Sequence, residues 1–327
     1  MPITTIEQFI YDTVYSADFL SEGPTSESDV IAGTIGPDVM DLLGGDDIMA
    51  AGGGNDKIKG GDGNDSILGE NGNDALFGGD GEDALFGGAG KDSIRGGDDD
   101  DIVSGGDSDD KLWGDAGNDL VDGGEGNDRI DGGLGDDEMY GGAGNDKMSA
   151  GAGSDVLFGG AGSDIMNGNN GDDLVDGGEG NDAIRGGAGD DAINGGAGND
   201  NLFGDSGDDS IGGGEGRDKL TGGSGYDTFI FSEGDGADTV RDFNAAEDQI
   251  DFTGVYIGYE GPYEIYFPID GDFFYYPYEE FASDVGSDVV FDFGNGDTLT
   301  LANTSVEDLS FENFVIDDYY FVPEVLG

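Results

Sequence analysis

One apolar residue and one aspartate recur at fixed places in every nine residues from Gly33 to Ile230, without a slip of register. Twenty-two such nonapeptides follow one another. Their eighth positions run Met40, Met49, Ile58, Ile67, Leu76 and Leu85 through to Phe229, their sixth positions are all Asp, and their fourth positions are Gly except at Asp99 and Ser108. A typical unit reads Gly186-Gly187-Ala188-Gly189-Asp190-Asp191-Ala192-Ile193-Asn194. Glycines admit positive φ and leave carbonyl oxygens uncrowded, so the first six residues predict a tight loop lined with oxygen. The last three predict a short strand whose middle side chain points inward and whose neighbours point outward. A strand this short cannot bury its one apolar side chain alone, so the units must stack, and the period predicts a solenoid.

The outward positions, seven and nine, set the number of units per coil. Lysine and arginine occupy them at Lys57, Lys59, Arg95, Lys111, Arg129, Lys147, Arg185 and Lys219, and all eight belong to odd-numbered units. Even-numbered units present Ile48, Leu68, Ala84, Phe86, Ile102, Leu120, Tyr140, Val156, Phe158 and Leu174 instead. The segregation predicts an eighteen-residue coil of two units with two unlike faces, one mixed and cationic and one largely apolar.

These motifs resemble the repeats-in-toxin (RTX) calcium-binding array of proteins exported by bacterial type I secretion. The resemblance implies a parallel β-roll in which calcium lies between turns stacked on the same side. One edge would be lined by Asp38, Asp56, Asp74, Asp92, Asp110, Asp128, Asp146, Asp164, Asp182, Asp200 and Asp218. The other would be lined by Asp47, Asp65, Asp83, Asp101, Asp119, Asp137, Asp155, Asp173, Asp191, Asp209 and Asp227. It further implies eleven coils, about 50 Å of stack at ~4.8 Å per coil, and roughly twenty calcium ions held by carboxylates and backbone carbonyls, a donor set suited to a hard cation.

Composition narrows the chemistry. The net charge is −64, from 75 acidic and 11 basic residues. Carboxylates about 4 Å apart repel by roughly 1 to 4 kcal/mol per pair, so the array is expected to be disordered until a cation offsets them. Nucleic acid and anionic membrane surfaces are excluded as partners by the same charge. Cysteine and histidine are both absent, which removes disulfides, thiolate sites, zinc-protease motifs and Ser-His-Asp catalysis. No catalytic or organic-cofactor residue is assigned, and the nine-residue spacing does not fit the twelve-residue EF-hand loop.

The ends differ from the array. Residues 1–32 hold no Lys or Arg and lack the basic start and apolar run of a cleavable signal. Thr4-Thr5-Ile6-Glu7 fits a capping box, and Ile6, Phe9, Ile10 and Val14 follow at helical spacing, which predicts an N-terminal helix over the open end of the first coil. Ser21 to Asp29 reads as a polar linker. After Ile230, the segment from Phe231 to Phe243, Asp248 to Phe252, and the period-two strands of Ser287 to Leu301 resemble the C-terminal cap of serralysin-like secreted exoproteins, where the uncleaved end carries the export signal. The tail Asp317-Asp318-Tyr319-Tyr320-Phe321-Val322-Pro323 departs from that pattern. Between Gly254 and Phe281 lie Tyr256, Tyr259, Tyr263, Tyr266, Tyr275, Tyr276 and Tyr278, either a cap core or an intermolecular contact.

The expected protein is therefore all-β: an N-terminal cap and linker (1–32), a nonapeptide β-roll (33–230) and a C-terminal cap with an aromatic insert and secretion-signal region (231–327). It is expected to be a secreted, non-enzymatic calcium-binding structural protein that meets the type I export machinery and assembles with itself outside the cell. Calcium-dependent adhesion or ligand display, or an accessory role to another exoprotein, is the alternative reading. Ice binding ranks below both, because positions seven and nine offer only Thr221 and Thr228.

Overall fold

The computed structural model describes residues 24–252, 282–293, 296–310 and 313–315. Within them the chain winds into an all-β parallel solenoid of about 12 turns. The first four strands show the plan: β1 (Val30–Thr34), β2 (Val39–Gly44), β3 (Ile48–Gly52) and β4 (Lys57–Asp62). β1 pairs with β3 and β2 with β4, both parallel, with Val30 opposite Ile48 and Val39 opposite Lys57. Partners are thus eighteen residues apart, the period that the basic residues predict. Even-unit strands run through a 16-stranded sheet and odd-unit strands through a 15-stranded one. The eight outward basic residues accordingly share one sheet.

The eighth-position side chains fill the space between the two sheets and are buried from Met49 through Phe229. Met40 is only partly buried, because β2 is the first strand of its sheet and has no neighbour on one side. The roll begins one unit earlier than the glycine pattern shows. Asp29 and Ile31 occupy the sixth and eighth places of an extra unit, and both are buried. The last residues of the stretch read as a linker therefore belong to the roll; Pro24 to Ser28 supply its turn without a single glycine. The expected N-terminal helix lies outside the described residues.

At the far end, strands Ala237–Val240 and Gln249–Asp251 continue the two sheets by a further coil. Strand Thr298–Leu301 pairs with Ala237–Val240 in parallel and with Asp288–Asp292 antiparallel, the hairpin that the period-two pattern predicts. Phe231 stacks on Phe293 at 4.9 Å between centroids, and Phe252 lies 5.8 Å from Phe291 and 6.0 Å from Phe314. These rings close the core column with large apolar area. The tyrosine-rich stretch of 254–281 and the tail at 317–323 lie outside the described residues.

Candidate metal centre

Each turn exists because glycine tolerates what other residues resist. Gly81 has φ of 117°, and a Cβ there would lie 2.6 Å from the carbonyl oxygen of Gly63, one coil earlier. The turns are stacked so closely that their carbonyls point into the next turn. Asp99 and Ser108, the two departures from glycine at the fourth position, still adopt φ of 75° and 81°. Stacking enforces the left-handed conformation even where the residue disfavours it.

The sixth-position aspartates follow immediately after these turns, and from Asp47 to Asp227 they are only 1 to 3% exposed. Asp38, at the open end, is partly exposed. Each carboxylate is held by one coil and serves another: the backbone N–H of Asp47 donates to Oδ1 of Asp65 at 2.9 Å, and that of Asp65 to Oδ1 of Asp83 at 2.7 Å. The same bond repeats along both edges. The structure thereby brings all the predicted aspartates into two continuous ladders.

Only one oxygen of each carboxylate is used. Oδ2 is buried without a hydrogen-bond partner in twenty aspartates, from Asp47 to Asp218. Native interiors contain few such orphans, and twenty at equivalent positions mark a design feature. Oδ2 faces a space kept open by the glycine at the first position of its own unit. A Cβ on Gly78 would meet Oδ2 of Asp83 at 2.1 Å and the carbonyl oxygen of Gly96 at 2.6 Å. The donors are all oxygen, one carboxylate with turn carbonyls, and among the described residues no three carboxylates converge on one point. That set fits a hard divalent cation with no preference for nitrogen or sulfur.

Electrostatics agree. Burial pushes the carboxyl of Asp65 up to about 7, against the lowering effect of the N–H donated by Asp47, and the charge of Asp47 raises it further. Asp101 and Asp110 reach about 8 for the same reasons, burial first. Buried carboxylates of this kind must be protonated or bound by a cation.

Two sets of residues escaped the reading of the sequence. The ladders extend past the array: Asp218 N–H donates to Asp238 and Asp227 N–H to Asp248, at offsets of 20 and 21 residues that break the nonapeptide frame. A separate row sits at the fifth position, where Asn64 N–H donates to Asp46 Oδ1 at 3.1 Å and Asp136 N–H to Asn118 Oδ1 at 2.8 Å. This row accepts from the following coil, whereas the sixth-position row accepts from the preceding one. The recurrence of Asn, Asp and Ser at the fifth position was its signal.

On the outer face of the 15-stranded sheet the cations are paired across coils. Arg95 lies over Trp113, 5.1 Å from the ring, and reaches Asp115 at 3.2 Å; Arg185 lies over Phe203 at 4.5 Å and reaches Asp205 at 2.7 Å. Both aspartates replace a second-position glycine and take positive φ. Lys91 pairs with Asp109 in the neighbouring turn.

Stacked acidic turns that bury one unpartnered carboxylate oxygen per unit beside turn carbonyls define a cation-dependent β-roll. The chain belongs to the RTX calcium-binding nonapeptide repeat family, whose model of four copies matches in overlapping segments from 25–58 and 51–85 through to 194–229. Solved structures that it resembles include the AlgE6R3 subunit of the Azotobacter vinelandii mannuronan C5-epimerase, at 29% identity and TM-score 0.28, covering 48% of this chain and 87% of that one. The extracellular lipase LipA of Serratia marcescens matches at 21% identity and TM-score 0.25, over 70% of this chain and 40% of that one. A hyperactive, Ca2+-dependent, β-helical antifreeze protein from an Antarctic bacterium matches at 20% identity and TM-score 0.30, over 71% of this chain and 83% of that one. A comparison with curated proteins gives no match.

Proposed function

We propose that this chain is a secreted structural protein whose roll is folded by calcium and which then associates with copies of itself outside the cell. The observation that carries the calcium step is the row of twenty orphaned Oδ2 atoms. The sixth-position aspartates would hold the ions together with turn carbonyls, on the order of one ion per ladder position, and binding free energy would be folding free energy. Calcium supplies the positive charge that lets neighbouring carboxylates stay ionised inside the stack.

Self-association is supported by apolar surface that the roll leaves open. Tyr140 and Phe158 stack on the outer face of the 16-stranded sheet, 5.2 Å apart, and remain half-exposed, with Leu174 more exposed beside them. At the first coil Ile35 is 98% and Val39 82% exposed, next to the unpaired edge of β2. Such edges and patches favour pairing between molecules. Phe86, at the same position as Phe158 four coils earlier, is buried and is not part of this surface.

Light scattering and negative-stain microscopy with and without calcium test the proposal. Oligomers or filaments that form only with calcium are expected. A well-folded calcium form that stays monomeric at high concentration would transfer the function to adhesion or ligand display, for which the paired arginines and aromatic rings of the opposite face are the candidate surface.

A further inference from the structure

The outer face of the 16-stranded sheet is buried at one end and open in the middle, and its visible neighbours do not account for the difference. Phe86 is 3% exposed, as is Leu68, and Ala50 is fully buried. Phe86 is flanked in register by Leu68 and Ser104. Phe158 is flanked by Tyr140, on which it stacks, and by Asp176, yet it is half-exposed. Phe86 has the smaller neighbours and the greater burial, so another part of the molecule must lie over it.

The covered cluster has limits that point to its cover. It contains Ala50, Leu68 and Phe86 with Val30, Ala32 and Ile102 packed against them, so it spans five adjacent strands beginning with β1, about 19 Å at ~4.8 Å per strand. The chain enters that sheet at β1, and the 23 residues before Pro24 carry Ile6, Phe9, Ile10 and Val14 at helical spacing. A helix of that segment is up to about 35 Å long at 1.5 Å per residue, enough to cross the patch. The 253–281 and 316–327 segments leave the stack at its opposite end. The open end of the first coil is meanwhile bare, since Ile35 and Val39 remain exposed.

We infer that residues 1–23 fold back along the outer face of the 16-stranded sheet and seal Ala50, Leu68 and Phe86, rather than covering the end of the first coil. The segment thereby removes the first coils from the apolar surface available to other molecules and leaves the surface around Tyr140 and Phe158 open. Its lack of Lys and Arg does not draw it to this face; apolar area does, because the cationic face lies on the other sheet.

Thiol labelling tests this in the full chain, which has no cysteine of its own. In saturating calcium the thiol of Ala84→Cys should label at least roughly tenfold more slowly than that of Val156→Cys, the equivalent position four coils on. Adding Phe9→Asp and Ile10→Asp should abolish the difference, with circular dichroism confirming that the roll remains folded. Independently, Phe9→Cys combined with Ala84→Cys should form an intramolecular disulfide. Equal labelling rates, protection that survives the two Asp substitutions, protection that grows with protein concentration, or failure of the cross-link would each overturn the inference, the third by assigning the cover to a second copy.

Discussion

The backbone N–H of Asp110 donates to Oδ1 of Asp128, one coil later, at 2.7 Å, and Oδ2 of Asp128 has no donor. One side chain therefore joins two coils through one oxygen and offers the other to a cation. Asp128→Ala should free the Asp110 N–H, at a local cost of about 1 to 3 kcal/mol, and weaken the adjoining calcium sites only. Amide exchange at saturating calcium should show lost protection near residues 110 to 146 and normal protection elsewhere. Global unfolding would contradict a nearest-neighbour array.

Acid and calcium should substitute for one another. The ladder carboxyls have folded-state values raised to about 6 to 8, for example at Asp74, Asp83 and Asp101, against roughly 3.9 in the unfolded chain. The metal-free fold binds more protons than the unfolded chain, so their contribution is fully present below about pH 4 and lost as pH rises through 6 to 8. In chelator, circular dichroism should show more strand at pH 4.5 than at pH 8. In calcium the dependence reverses: affinity should fall with pH, and binding at pH 7 should release protons into a weakly buffered solution.

Turn glycines should differ from their natural exceptions. Gly90 has φ of 139°, and an added Cβ would lie 1.4 Å from the carbonyl oxygen of Gly72, so Gly90→Ala should destabilise by at least about 1 to 3 kcal/mol. Asp99→Gly instead removes a side chain from a φ of 75° and should be neutral or stabilising by up to about 1 kcal/mol. The calcium concentration at the folding midpoint reports both signs.

Association should follow the open apolar face. Phe158→Asp should suppress calcium-dependent oligomers in light scattering, whereas Lys111→Glu, on the opposite sheet, should leave them unchanged. Equal loss from both would point to the coil ends instead of a face.

Columns that repeat in frame were fully legible from the sequence. The sixth and eighth positions announced ladder and core, and the distribution of Lys57, Arg95 and their fellows announced the eighteen-residue coil. What escaped notice lay outside the glycine pattern. Asp29 follows a turn without glycine, so its unit looked like a linker; Asp238 and Asp248 sit in longer loops that restore the same hydrogen bond at a different spacing. The burial of Phe86 could not be read at all, because its unit is nearly identical to others whose outward side chain is open.

The eighteen-residue register also governs how such a protein can change length. Excising one whole coil brings Asp110, for example, to the place of Asp92, and every donor still finds its acceptor. Excising nine residues would swap the two sheets downstream of the cut, moving cationic side chains into line with apolar ones and splitting both surfaces along the rod. Recombination between repeats can therefore yield longer or shorter functional descendants only in increments of a full coil, each adding about 4.8 Å. Rod length becomes a heritable dimension that varies in steps while fold, core and surface chemistry stay the same.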